Sequence, residues 1–226
     1  MTPLGGRFIV FDGPDGSGKS TQFRRFCAAA ESAGVTLCDV REPGGTEVGE
    51  RIRAILLDPI HSEMTVRTEM MLYMASRAQL VQQRIVPALA AGHLVIADRF
   101  ISSTLAYQGS AGGLPREEIV AVGKAACGGV EPDLVVIFDV DDEVAASRLN
   151  PLLDRMEQKG AEFHRKVRQG YLSQVREWPD RYAVVDASQD ADAVTRDLLA
   201  VVRQRLVRPP VAVLTAAPAR ARTGTG

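Results

Sequence analysis

The chain has 226 residues, 46% of them apolar and 24% charged, which is enough for one α/β domain with a full core. Its net charge of -1 hides a skew: Arg203, Arg205, Arg208, Arg220 and Arg222 all follow the last acid, Asp197, so the body before them is acidic and a nucleic-acid partner is not expected. Three scattered cysteines without CxxC spacing give neither a disulfide frame nor a metal site and fit a cytoplasmic protein, while the absence of a leader in "MTPLGGR" and of any long apolar run argues against secretion and membrane spanning.

In chain order the first β-rich run is Phe8–Asp12, and the helical pattern Lys19–Ala33 follows it. A second strand, Val35–Val40, leads to helices over Val48–Leu57 and Val66–Leu89. The third, Leu94–Asp98, precedes a helix at Glu117–Ala126. The fourth, Leu134–Val140, precedes helices at Asp142–Leu149 and Gly160–Arg176, and the fifth, Tyr182–Asp186, precedes Asp190–Val207. The strand runs are mostly unbroken apolar rather than alternating, as in strands covered on both faces. This order predicts a five-stranded parallel sheet covered by helices, in one domain spanning residues 1–207. The remainder, 208–226, is rich in Pro, Ala, Gly, Thr and Arg and is expected to be disordered.

Between the first strand and the first helix, Gly13, Pro14, Asp15, Gly16, Ser17, Gly18, Lys19 and Ser20 fit G-x-x-x-x-G-K-[ST], with Thr21 following. Glycines let successive backbone N–H groups turn inward, the helix N-terminus adds positive potential, Lys19 reaches the outer phosphates and the Ser20 hydroxyl can ligate Mg²⁺. The expected ligand is a nucleoside triphosphate, and the expected fold is a P-loop NTPase three-layer sandwich. Asp15 is out of place in such a loop, because a carboxylate among those amides repels a polyphosphate. It points to a second ligand.

In open parallel sheets the reacting groups gather at the carboxyl ends of the strands. Here those ends carry "REPGGTEVGERIR" after the second strand and "DRFISSTLAYQG" after the third, with "LYMASRAQL" in the long helix between them. Asp98 suits a carboxylate that holds Mg²⁺ directly or through water, and Arg99 suits a bidentate grip on phosphate. The three histidines, His61, His93 and His164, lie away from strand ends and are read as structural or surface residues.

These segments, with the later "LDRMEQKGAEFHRKVRQGYL", closely resemble the bacterial thymidylate kinases over Phe8 to about Leu206. The resemblance implies ATP-dependent phosphorylation of dTMP to dTDP in dTTP synthesis, de novo and by salvage, by a Mg²⁺-using homodimer with a small mobile lid at about 150–160. It implies that Asp15 faces the acceptor's sugar and phosphate; that Tyr73, where the family usually has Phe, stacks on the base while Arg77 donates to a base carbonyl; that Arg53 and Arg99 grip the acceptor phosphate; that Thr104 and Gln108 meet the pyrimidine edge; that Glu42 and Pro43 line the pocket; and that Tyr107 lies against the sugar. Relatives with an arginine directly after the P-loop acid have here Gly16, so the resemblance assigns the catalytic lid charge to Arg155, with Arg148 in reserve, and places Ala187–Gln189 near adenine. The alternatives are another nucleoside monophosphate kinase, or a P-loop ATP-binding switch that phosphorylates nothing.

Overall fold

In a computed structural model, residues 4–148 and 154–206 are described. The strands are β1 Phe8–Asp12, β2 Leu37–Arg41, β3 Leu94–Asp98, β4 Leu134–Asp139 and β5 Tyr182–Asp186. All four pairings are parallel and the strand order is β2-β3-β1-β4-β5. The expected α/β architecture, a five-stranded parallel sheet covered by helices, is therefore the one observed. Because β1 has β3 on one side and β4 on the other, the chain reverses its direction of winding there and leaves a crevice beyond the carboxyl end of β1. Every strand ends on a charged residue, Asp12, Arg41, Asp98, Asp139 and Asp186, which sets polar groups along that one edge.

The helices are α1 Lys19–Ser32, α2 Glu47–Leu57, α3 Val66–Leu80, α4 Val86–Ala90, α5 Ile101–Thr104, α6 Arg116–Cys127, α7 Asp142–Ser147, α8 Ala161–Glu177 and α9 Ala191–Leu206. Alternate strand residues feed opposite faces of the sheet. Phe8, Val10, Val95, Ala97, Val135 and Ile137 meet Leu80, Val81, Val167 and Tyr171 on one side, while Ile9, Phe11, Ile96, Val136 and Phe138 meet Phe26, Val194 and Leu198 on the other. The central strands β1, β3 and β4 are buried on both faces, which is why their sequences read as continuous apolar runs, while the edge strands β2 and β5 expose Asp39 and Val184.

Four differences from the sequence reading have local causes. β2 starts at Leu37 rather than Val35, because the Val35 N–H donates to the Ala30 carbonyl and so closes α1 instead of joining the sheet. The long helix predicted over Val66–Leu89 is interrupted by a π-helical turn, Val81–Ile85, just before α4. Pro87 cannot donate to the residue one turn back, and the wider turn accommodates that missing bond. The segment "ISSTLAYQG", to which no element was assigned, is α5 followed by a second π-helical turn, Leu105–Ala111. Asp190 caps α9, its Oδ1 accepting from the backbone N–H groups of Asp192 and Ala193 at 2.9 Å each. The tail expected to be disordered, and the first part of the expected lid, lie outside the described residues.

Candidate active site

The loop after β1 is forced by its glycines. Gly13 leaves the strand with φ 144°, and Gly16 and Gly18 both take φ 76°. A Cβ on Gly13 would stand 2.5 Å from the Phe138 carbonyl oxygen, and one on Gly16 only 2.3 Å from that of Ala145, so β4 and α7 press directly on the loop's backbone. Gly18 caps α1 without a side-chain hydrogen bond, which leaves the first N–H groups of α1 facing the crevice.

Two cavities open at this edge. The larger, about 530 Å³, is lined by Pro14 to Gln22, Arg148, Ala187 and Gln189; the smaller, about 240 Å³, by Glu42, Pro43, Arg53, Tyr73, Asp98, Ser103, Thr104, Tyr107 and Gln108. Asp15, Lys19, Ser20, Arg99 and Glu157 line both. The Lys19 ammonium, at the start of α1, is ion-paired with Asp98 at the end of β3.

Arg99 is the structural centre of the shared wall. Its backbone has φ 72°, a left-handed conformation uncommon for a side-chain-bearing residue and here fixed by what the side chain must reach. The guanidinium pairs with Asp15, donates to the Gly13 carbonyl at 3.0 Å, the Ser103 hydroxyl at 3.1 Å and the Tyr171 hydroxyl at 3.0 Å, and lies 5.2 Å from the Tyr107 ring centre. Beneath it Asp12, wholly buried, accepts from the hydroxyls of Ser102, Ser103 and Tyr171 at 2.5, 2.7 and 2.6 Å. The Tyr107 hydroxyl donates to Asp15 at 2.7 Å.

These contacts set the charges. Burial alone would raise the Asp15 carboxyl, but Arg99, the Tyr107 hydroxyl and Lys19 outweigh it and hold the group below the ordinary aspartate value. Burial would lower Arg99, yet its tyrosine and aspartate neighbours hold it well above the usual arginine value, so it is a fixed cation. Glu42 moves the other way, raised by burial against the opposing pull of Arg77, and its Oε1 is buried without a hydrogen-bond partner among the described residues.

The family profile described as "Thymidylate kinase" matches residues 11–198. Curated relatives of that name include one from Pelotomaculum thermopropionicum, 46% identical over 89% of this chain and 94% of its own, one from Symbiobacterium thermophilum at 44% over the same shares, and one from Geobacillus at 40% over 89% and 98%. The chain belongs to the thymidylate kinase family.

Most of the residues singled out in the sequence line one of the two cavities, but Arg77 and Arg155 do not. Arg77, expected to reach a base carbonyl, is 1% exposed and does not line the smaller cavity. Its guanidinium lies behind the wall, bonded to Glu42 at 2.6 and 2.8 Å and to the Thr104 hydroxyl at 3.2 Å, with the Phe100 ring 5.2 Å away. It holds the wall residues instead of facing the cavity. Arg155, the expected lid charge, lines neither cavity: it is buried, paired with Glu69 at 2.6 Å and donating through Nε to the Leu56 carbonyl at 2.7 Å. A buried carboxylate has captured it. The reserve, Arg148 at the end of α7, does line the larger cavity, with Nη1 donating to the Ala187 carbonyl at 3.0 Å.

Five residues of the site were not singled out in the sequence: Asp12, Ser103, Tyr171, Glu69 and Glu157. Asp12 carried a usable signal, an acid closing the strand just before a phosphate loop. Tyr171 lies 72 positions from Arg99 along the chain and could be joined to it only by the fold.

Proposed function

We propose that the chain transfers the terminal phosphoryl group of ATP to dTMP. The observation that carries this reading is the common wall: two cavities, one built on the phosphate loop and one at the ends of β2 and β3, share Lys19, Arg99 and Asp15. A donor in the first and an acceptor in the second would meet end to end beside two cations, and phosphoryl transfer requires little beyond such positioning and charge. Lys19 would leave Asp98 for the donor's outer phosphates, Arg99 and Arg53 would hold the acceptor phosphate, and Asp15, kept ionised, would accept from a sugar hydroxyl. Tyr73 lines the smaller cavity and would stack on the base, with Thr104 and Gln108 at its edge. Ala187 and Gln189 would lie near adenine. With Arg155 held by Glu69, Arg148 is the cation that would serve the donor phosphates.

The described residues contain no cluster of three or more metal-ligating side chains. Nucleotide kinases hold Mg²⁺ mainly through phosphates and water with one or two hard oxygen ligands. Ser20 and Asp98, both oxygen donors lining the smaller cavity, are the residues that would hold it. When bound, the ion neutralises charge on the transferring phosphate.

ADP formation measured with dTMP, dUMP, UMP, dGMP or no acceptor tests the reading. Turnover should follow the order dTMP, dUMP, UMP and be negligible with no acceptor. A thymine methyl is worth only about 1–3 kcal/mol, so dUMP should be poor rather than excluded. ADP release that ignores the acceptor would indicate an ATP-hydrolysing switch instead, a reading the built second cavity disfavours.

No helix among the described residues is long and apolar enough to cross a membrane, and the cytoplasm is the proposed location. A homodimer is proposed through α2 and α3, which pack side by side and leave Val48, Ile55 and Met71 exposed. Light scattering should give twice the chain mass of 24.4 kDa. A single-chain mass at micromolar concentration would overturn that assembly.

A further inference from the structure

Glu69, in the first turn of α3, is wholly buried, yet it is neither an apolar core residue nor a lining residue of either cavity. Its carboxylate receives three donors from two directions. Arg155 pairs with it at 2.6 Å and Lys159 at 3.0 Å, both from the segment that follows residue 153, and the Gln108 side-chain amide donates to it at 2.7 Å from the π-helical turn after α5. A carboxylate can only accept, so the Gln108 Nε2 must face Glu69, and the carbonyl oxygen is the polar end left for the cavity that Gln108 lines.

We propose that Glu69 is a positioning residue for acceptor choice: by fixing the Gln108 amide it presents an acceptor to the base, while the same carboxylate docks the Arg155–Lys159 segment over the site. This rests on the acceptor reading above. A carbonyl at the cavity wall suits a base that offers a ring N–H, as thymine and uracil do at N3, and opposes cytosine, whose N3 is itself an acceptor. Arg155 and Lys159 meet the Glu69 carboxylate from the opposite side to Gln108, so the buried acid is held between the two segments.

Glu69→Gln nearly preserves shape but lets both amides turn, and the ratio of kcat/KM for dTMP over dCMP should fall about tenfold, chiefly through the KM for dTMP. The KM for ATP should stay within about twofold. Trypsin cleavage after Arg155 or Lys159, identified by fragment mass with no nucleotide present, should accelerate about tenfold. Lys159→Ala should accelerate cleavage but leave the dTMP/dCMP ratio unchanged. Adding Glu69→Gln to Gln108→Leu should change that ratio no further than Gln108→Leu alone. If Glu69→Gln does not fold, Glu69→Gln/Arg155→Met/Lys159→Met, which leaves no unpaired charge, carries the same ratio test. An unchanged ratio in folded protein, or a ratio shifted equally by Lys159→Ala, overturns the proposal. Failure of wild type to phosphorylate dTMP would instead overturn the reading on which it rests, and the cleavage result is independent of that.

Discussion

Lys19→Ala should reduce kcat by about 10³-fold or more while the protein stays folded. Lys19 is 7% exposed at the shared wall, and its only ion-pair partner among the described residues is Asp98, which lines the smaller cavity. Removing the ammonium takes away charge that would follow the phosphoryl group through the transition state, a loss of about 4 kcal/mol or more by the rate equation. Asp98 keeps contact with solvent, its side chain 22% exposed, so the unpaired carboxylate can be hydrated and the melting temperature should move by only a few degrees. Steady-state turnover and a thermal melt on the same preparation provide the check. Near wild-type kcat in a folded variant would refute the kinase reading.

Arg99→Ala should have two large effects, one on activity and one on stability. Acceptor kcat/KM should fall at least 10²-fold, with the KM for dTMP carrying more of the loss than that for ATP. Stability at neutral pH should fall by about 3–5 kcal/mol, because Asp12 and Asp15 lose a shared counter-charge inside the wall. The pH dependence separates this from a packing loss. Asp15 has a folded-state value depressed below 3.8, so its contribution is fully present above that pH and is lost as the pH falls through the depressed value. The difference in unfolding free energy between wild type and Arg99→Ala should therefore narrow below about pH 4. A gap constant from pH 7 to pH 2, measured by urea unfolding, would assign the loss to packing alone. Arg99→Lys should recover part of the stability and little of the activity, since a single ammonium cannot reach Asp15, Ser103 and the Gly13 carbonyl together.

The sheet and the phosphate loop were legible because their causes are local. Five short, mostly apolar runs of strand length, each followed by a helical pattern, fit a covered parallel sheet, and the glycine spacing from Gly13 to Gly18 specifies a loop whatever surrounds it. The residues lining the smaller cavity were named mainly through resemblance, and the two departures, Arg77 and Arg155, show the limit of that route. Tyr73 and Arg77 do share a helix face, as a spacing of four requires, but spacing does not reveal that Glu42 and Thr104 close over the second of them. Arg155 looked like a free lid charge because its captor, Glu69, lies 86 positions earlier and reads in sequence as an ordinary acid near the start of a helix. The π-helical turn at Val81–Ile85 was hidden for a different reason: the apolar period runs through it unbroken, and only Pro87 hints at the missing bond.

The contact between Gly16 and the Ala145 carbonyl also bears on how such a chain can change under mutation. One base change converts any glycine codon into an arginine codon, so an arginine beside Asp15 is a near neighbour in codon space. In this fold that step is closed: the new Cβ would stand 2.3 Å from backbone rather than from a side chain able to move aside. Variation at position 16 must wait until α7 has shifted, and selection for faster transfer would act first on cations outside the loop, at Arg148 and around Arg99. A library randomised at residue 16 alone should return glycine; one randomised at 16 together with 142–147 is where a second solution could appear.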